Sequence, residues 1–141
     1  MTDRQKILIR YRDALKRNRT SYEIGTDGWR RDIPRQSGVY VIWRGDDPVY
    51  VGETANLYER FGELERTWHH TIRRKLLKND KRLKESRLTS YISKNFKISH
   101  RAIGIGRKEL EEYLICYWET REFNKWPARY VRSEDYKDDD Y

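Results

Sequence analysis

The residues from Gly38 to Arg60, GVYVIWRGDDPVYVGETANLYER, carry the side chains best placed for chemistry: the phenols of Tyr40 and Tyr50 and the guanidinium of Arg60. An arginine presents a permanently charged planar fork of donors that matches a phosphate. A phenol has a pKa near 10, so a tyrosine can act as a base at neutral pH only where a metal ion, an arginine or another basic group favours its phenolate. Phosphodiester hydrolysis would use both. It requires a positioned water, stabilisation of charge on the phosphate and, usually, a divalent cation.

Such groups must be held by structure, and this stretch supplies it. Val39-Tyr40-Val41-Ile42-Trp43 is a β-branched and aromatic run. Gly45, Asp46, Asp47 and Pro48 then give turn chemistry before a second run, Val49-Tyr50-Val51. The pattern predicts a short β-hairpin with a tyrosine on each strand. Gly52 closes the second strand where a side chain would crowd a close approach. Thr54 is the predicted N-cap of a helix through Asn56, Leu57, Tyr58, Arg60 and Phe61, which puts the arginine about two turns in. Tyrosine is also a good strand residue, and the chain has eleven, so spacing alone does not separate the two uses.

This arrangement resembles the GIY-YIG nuclease family, whose two name motifs would be Gly38-Val39-Tyr40 and Tyr50-Val51-Gly52, with Val for Ile in both. The resemblance covers roughly residues 38 to 126. It implies an arginine on the following helix, which Arg60 matches. It also implies a histidine or tyrosine beyond that, for which His69 is favoured over His70. A glutamate on a later helix follows, Glu111 with Glu112 as competitor, and then an asparagine, Asn124 after Phe123. Arg121 stands where the family commonly has proline. The resemblance implies Tyr40 as base, Tyr50 and His69 bonded to the water or phosphate, and Asn124 as a brace. It implies Glu111 as the single protein ligand of a magnesium or manganese ion, since such hard ions keep most of their waters. The implied activity is metal-dependent DNA endonuclease, on single or double strands. A noncatalytic nucleic-acid-binding module that retains the fold is the alternative.

Charge points the same way. The 141 residues carry a net charge of +8, and clustered Lys and Arg gain by releasing counterions from a phosphate backbone. From Arg66 to Arg87 nine basic residues stand against two acids, and Arg73, Arg74, Lys75, Lys78 and Arg82 are the expected phosphate contacts. The plainer reading of such a run is a well-solvated surface. A chain of this length makes one domain, without an 18-residue apolar run for a membrane or an apolar signal segment at its start. The lone Cys116 cannot form an internal disulfide, which fits a reducing cytoplasm.

The remaining chain predicts an α/β (α+β) fold, a small three-stranded mixed or antiparallel sheet flanked by helices. Residues 1–37 form a basic amphipathic helix over 3–18, with Ile7, Leu8, Tyr11 and Leu15 on its apolar stripe, and a loop anchored by Trp29 or Ile33. Within the 38–126 core, a second helix is expected around Trp68–Leu77, a short one in 79–95, a strand over Phe96–Ile103 carrying a surface or edge His100, and a helix over Arg107–Thr120. Residues 127–141 form a tail whose acidic end is similar to an epitope tag. A core this small, without a recognition module, suggests modest sequence specificity or a homodimer.

Overall fold

In a computed structural model of the chain, residues 1–66 and 70–125 are described. Helix α1 (Asp3–Arg17) opens with Thr2 as N-cap in a reciprocal capping box with Gln5. Strands β1 (Gly38–Arg44) and β2 (Asp47–Thr54) follow, then α2 (Leu57–Gly62), a 3₁₀ turn (Glu63–Glu65), α3 (Thr71–Asn79), α4 (Glu85–Asn95), β3 (Lys97–Ala102) and α5 (Arg107–Trp118). The sheet is wholly antiparallel in the order β2-β1-β3, so β1 is central and β2 is an edge.

Alternation along β1 sorts the core into two layers. Tyr40 and Ile42, with Tyr50 of β2, face Leu57 and Phe61 of α2, Ile72 and Leu76 of α3, and Leu88 and Ile92 of α4. Val39, Val41 and Trp43, with Val51, face Leu8 and Leu15 of α1 and Leu110, Tyr113 and Leu114 of α5. Every residue of β1 except Arg44 is buried, as a strand covered on both faces requires.

Several local expectations change. The hairpin turn is tighter than the sequence implied, because Asp47 and Pro48 pair in β2 and Gly45 takes φ 63°. The N-cap of α2 is Asn56, whose side chain accepts from Glu59 N–H at 3.1 Å, not Thr54, whose hydroxyl accepts from the Asn56 N–H. Arg60 is thus the fourth residue of its helix. Ile7 leaves the apolar stripe of α1 and is 48% exposed, its place in the core being taken by Ala14. Ile33 anchors the N-terminal loop, and Trp29 packs partly buried against the same core. His100 sits on the edge strand β3, half-buried with its ring edge-on to Phe61. The acidic tail lies outside the described residues.

Candidate active site

Tyr40 is the centre of a buried hydrogen-bonded cluster. Its ring lies across the neighbouring strand over Gly52, its partner in the β1–β2 register, where a Cβ would come within 2.5 Å of the phenol oxygen. Only glycine leaves that space. Arg60 Nε donates to the Tyr40 oxygen at 3.0 Å, and His70 Nε2 lies 2.8 Å from it. The tautomer of His70 follows from its other nitrogen. Nδ1 caps α3 by accepting the Ile72 N–H at 3.1 Å, so the ring proton sits on Nε2 and is donated to Tyr40. Burial first, then the charges of Arg60, Arg74 and Arg73, hold the His70 pKa well below its ordinary value, so this imidazole is a neutral donor. The Tyr50 phenol beside it, ring centroids 6.0 Å apart, favours the protonated form of Tyr40. The Tyr40 oxygen thus accepts from both Arg60 and His70.

These contacts set the phenol's acidity. Burial raises the Tyr40 pKa well above 10, the charge of a Tyr50 phenolate would add to this, and Arg60 opposes both. For Arg60 burial works against the charge, but the two phenols outweigh it and the guanidinium pKa is raised. Nη1 of Arg60 is paired with Glu63 at 2.9 Å, three residues on, and the side chain remains 22% exposed. The expected open fork toward a phosphate is thus largely turned inward onto the phenols. Sequence reasoning missed Glu63, although an i, i+3 Arg–Glu pair is a visible signal.

His69 lies outside the described residues, and the imidazole against Tyr40 belongs to its neighbour, His70, which is fully buried. The cap position before Thr71 was the signal, since an N-cap must turn its side chain back on the helix start.

Glu111 does not join this cluster directly. Helix α5 packs on the face of the sheet opposite Tyr40, so the phenols, Arg60 and Glu111 do not line one face. Its carboxylate nevertheless reaches the outer edge of β2, where it is hydrogen-bonded by the Glu53 backbone N–H. Phenol and carboxylate thus approach the Gly52–Glu53 pair from opposite faces. Burial, then the charges of Glu53 and Glu112, push the Glu111 carboxyl up to about 7, against the Glu53 N–H and Lys108. The Glu53 side chain is itself paired with Arg107 at 2.6 Å. Glu111 is left as an oxygen donor in negative surroundings, which suits a hard hydrated cation with one protein carboxylate. Among the described residues no group of three or more His, Cys, Asp or Glu side chains could hold an ion in an all-protein cage.

Asn124 seals the same edge. Its Oδ1 accepts the Val51 N–H and its Nδ2 donates to the Val51 carbonyl, both at 2.8 Å, and Thr120 Oγ1 donates to Oδ1 at 2.7 Å. Val51 and Glu53 turn their outward backbone groups to Asn124 and Glu111 respectively, as alternate residues of an edge strand do.

The basic run divides. Arg74, Lys78 and Arg82 are exposed. Lys75 is half-buried and donates to the Phe123 carbonyl at 2.9 Å. Arg73 is not on the surface: it is 3% exposed, and its guanidinium donates to the Leu64 carbonyl and to Thr89, so it ties the 3₁₀ turn to α4. Position 73 lies on the inward face of α3 beside Ile72 and Leu76, where a long side chain must find internal acceptors.

The model of the GIY-YIG catalytic domain matches residues 36–125, and the chain belongs to the GIY-YIG family. Solved structures of the GIY-YIG N-terminal endonuclease domain of UvrC from Thermotoga maritima are similar to it. A point mutant bound to its catalytic divalent cation is 14% identical, covers 71% of this chain and 99% of that one, and gives a TM-score of 0.47. The magnesium-bound domain is 17% identical, covers 66% and 88%, and gives 0.44. No curated protein matches the chain. No helix among the described residues is long and apolar enough to cross a membrane.

Proposed function

We propose that the chain is a DNA endonuclease that hydrolyses phosphodiester bonds with one divalent cation held by Glu111. The observation that carries this reading is the Tyr40 oxygen, buried over Gly52 and bonded by both Arg60 Nε and His70 Nε2. A purely structural buried tyrosine needs one partner; this one has two donors aimed at its oxygen, the arrangement that stabilises a phenolate.

Tyr50 is the outer phenol, 7% exposed against 1% for Tyr40. In the reaction a Tyr40 phenolate, held by Arg60 and His70, would accept the proton of Tyr50 as Tyr50 takes one from the attacking water, so that both phenols end neutral. His70 serves as a donor and not as a base, because its Nε2 already carries the proton. When bound, the cation supplies Lewis-acid neutralisation of charge on the phosphate oxygens. Asn124 keeps β2 in register and with it the placement of Tyr50 and Gly52. The exposed Arg74, Lys78 and Arg82 are the proposed backbone contacts to DNA, and Arg73 is withdrawn from that set.

The test is nicking of supercoiled plasmid with and without magnesium. Magnesium-dependent nicking that is lost in Glu111→Gln and Tyr40→Phe supports the reading. Retained DNA binding with no cleavage by the parent protein at any divalent cation would replace it with the noncatalytic binding module.

A further inference from the structure

The N-terminal loop, residues 19–37, lies almost wholly before the matched family region and takes no part in the Tyr40 cluster. Two cavities nevertheless open along it, of ≈ 640 and ≈ 470 Å³, the first against Tyr58 of α2 and the second against His100 of β3. Gly28, Trp29 and Arg31 line both, so the two form one groove around these residues. Its volume suits a small planar ligand with its attached groups.

The lining has one flat platform and one uncommitted cation. Trp29 is stacked on Phe61, with centroids 6.4 Å apart at 25°, and Phe61 in turn meets the Tyr40 ring at 5.7 Å. The platform is thus backed by the residue next to Arg60. Arg31 is exposed and has no side-chain partner among the described residues. Its guanidinium lies across Gly28, where φ is +67° and a Cβ would come within 2.7 Å of Nη2. Arg35, by contrast, is paired with Glu59 at 2.8 Å and lies 3.9 Å from the centre of the Tyr58 ring. Asp27, Asp32 and Glu65 offset the arginines of the lining, so the groove is no general positive field.

We propose that this groove holds an unpaired stretch of the nucleic-acid strand flanking the cut, with a base stacked at Trp29 and its phosphate on Arg31. The assignment rests on the nuclease reading above. A duplex hides its base faces in the stack and offers phosphates to a surface, whereas a concave aromatic site with one uncommitted guanidinium matches a splayed base. The carboxylates around it reject a second phosphate and can accept from the edge of a base.

Fluorescence anisotropy in EDTA, which prevents cleavage, measures binding of a single strand, a blunt duplex and a duplex with a single-stranded overhang. Trp29→Leu keeps an apolar contact on Phe61 and should weaken the single strand and the overhang by on the order of 10-fold or more, with the blunt duplex within about 2-fold. Arg31→Ala, a surface change, should lower the salt slope for the single strand by about 0.7, one phosphate contact. Equal losses on blunt duplex, or an unchanged slope and affinity in both variants, overturn the groove. A parent protein that nicks plasmid but ignores single strands overturns the groove and leaves the nuclease standing; one that binds no nucleic acid removes both.

Discussion

Glu111→Gln should make the protein's stability nearly independent of pH between 5 and 8, where the parent loses stability. The parent carboxyl is raised from the ordinary 4.5 to about 7 by burial and by Glu53 and Glu112. A group whose folded pKa is raised contributes stability that is complete below the unfolded pKa and is lost as pH climbs through the folded one. The window therefore opens near 4.5 and closes above about 7. At about 1.4 kcal/mol per tenfold in proton affinity, the full shift corresponds to about 3 kcal/mol. Glu111 is only half-buried, so screening reduces this to about 1–2 kcal/mol. For a domain of this size that is roughly 3–8 °C in Tm. Thermal melts in EDTA at pH 5 and pH 8 measure it, and magnesium at pH 8 should return part of the loss to the parent but not to the glutamine variant, since an ion that binds only the folded state stabilises it. If the variant follows the parent across the whole range, or if magnesium raises both equally, Glu111 is neither the strained carboxylate nor the ion's ligand.

Tyr40→Phe should lower cleavage by about 10²–10⁴-fold and destabilise by about 1–3 kcal/mol, because the Arg60 Nε and His70 Nε2 donors lose their shared acceptor; single-turnover assays and chemical melts read the two effects separately. His70→Asn should retain most of the α3 cap, and so most of the stability, while losing activity, whereas His70→Ala should also lose about 1 kcal/mol or more; equal activity in His70→Asn and the parent removes His70 from the site. Replacing Arg74, Lys78 and Arg82 together by alanine should reduce the salt slope of duplex binding by nearly one per contact, with the melt unchanged. Arg73→Ala should do the reverse, with a clear loss of stability and an unaltered slope, because it removes an internal donor to Leu64 and Thr89.

The hairpin and its tyrosines were legible because strand alternation and turn residues are local signals, and the family resemblance followed from them. What was not legible depended on distant partners. Thr54 and Asn56 are both competent caps, and the choice falls to Asn56 because the Leu57 and Tyr58 N–H groups are taken by the carbonyls of Gln36 and Pro34 in the preceding loop. His69 and His70 could not be told apart by type, and it is the start of α3 that brings His70 to Tyr40. A run of basic residues conceals that one of them, Arg73, faces inward. The resemblance put Glu111 on a later helix but could not say which face of the sheet that helix would cover.

The Asn124 side chain is chemically a peptide group carried on one methylene, and it bonds both the N–H and the carbonyl of Val51. In effect the chain adds a single residue's worth of a fourth strand and then stops. An unprotected edge would invite another polypeptide to pair along β2. The amide fills the pairing position at Val51, so a second strand cannot dock in register there.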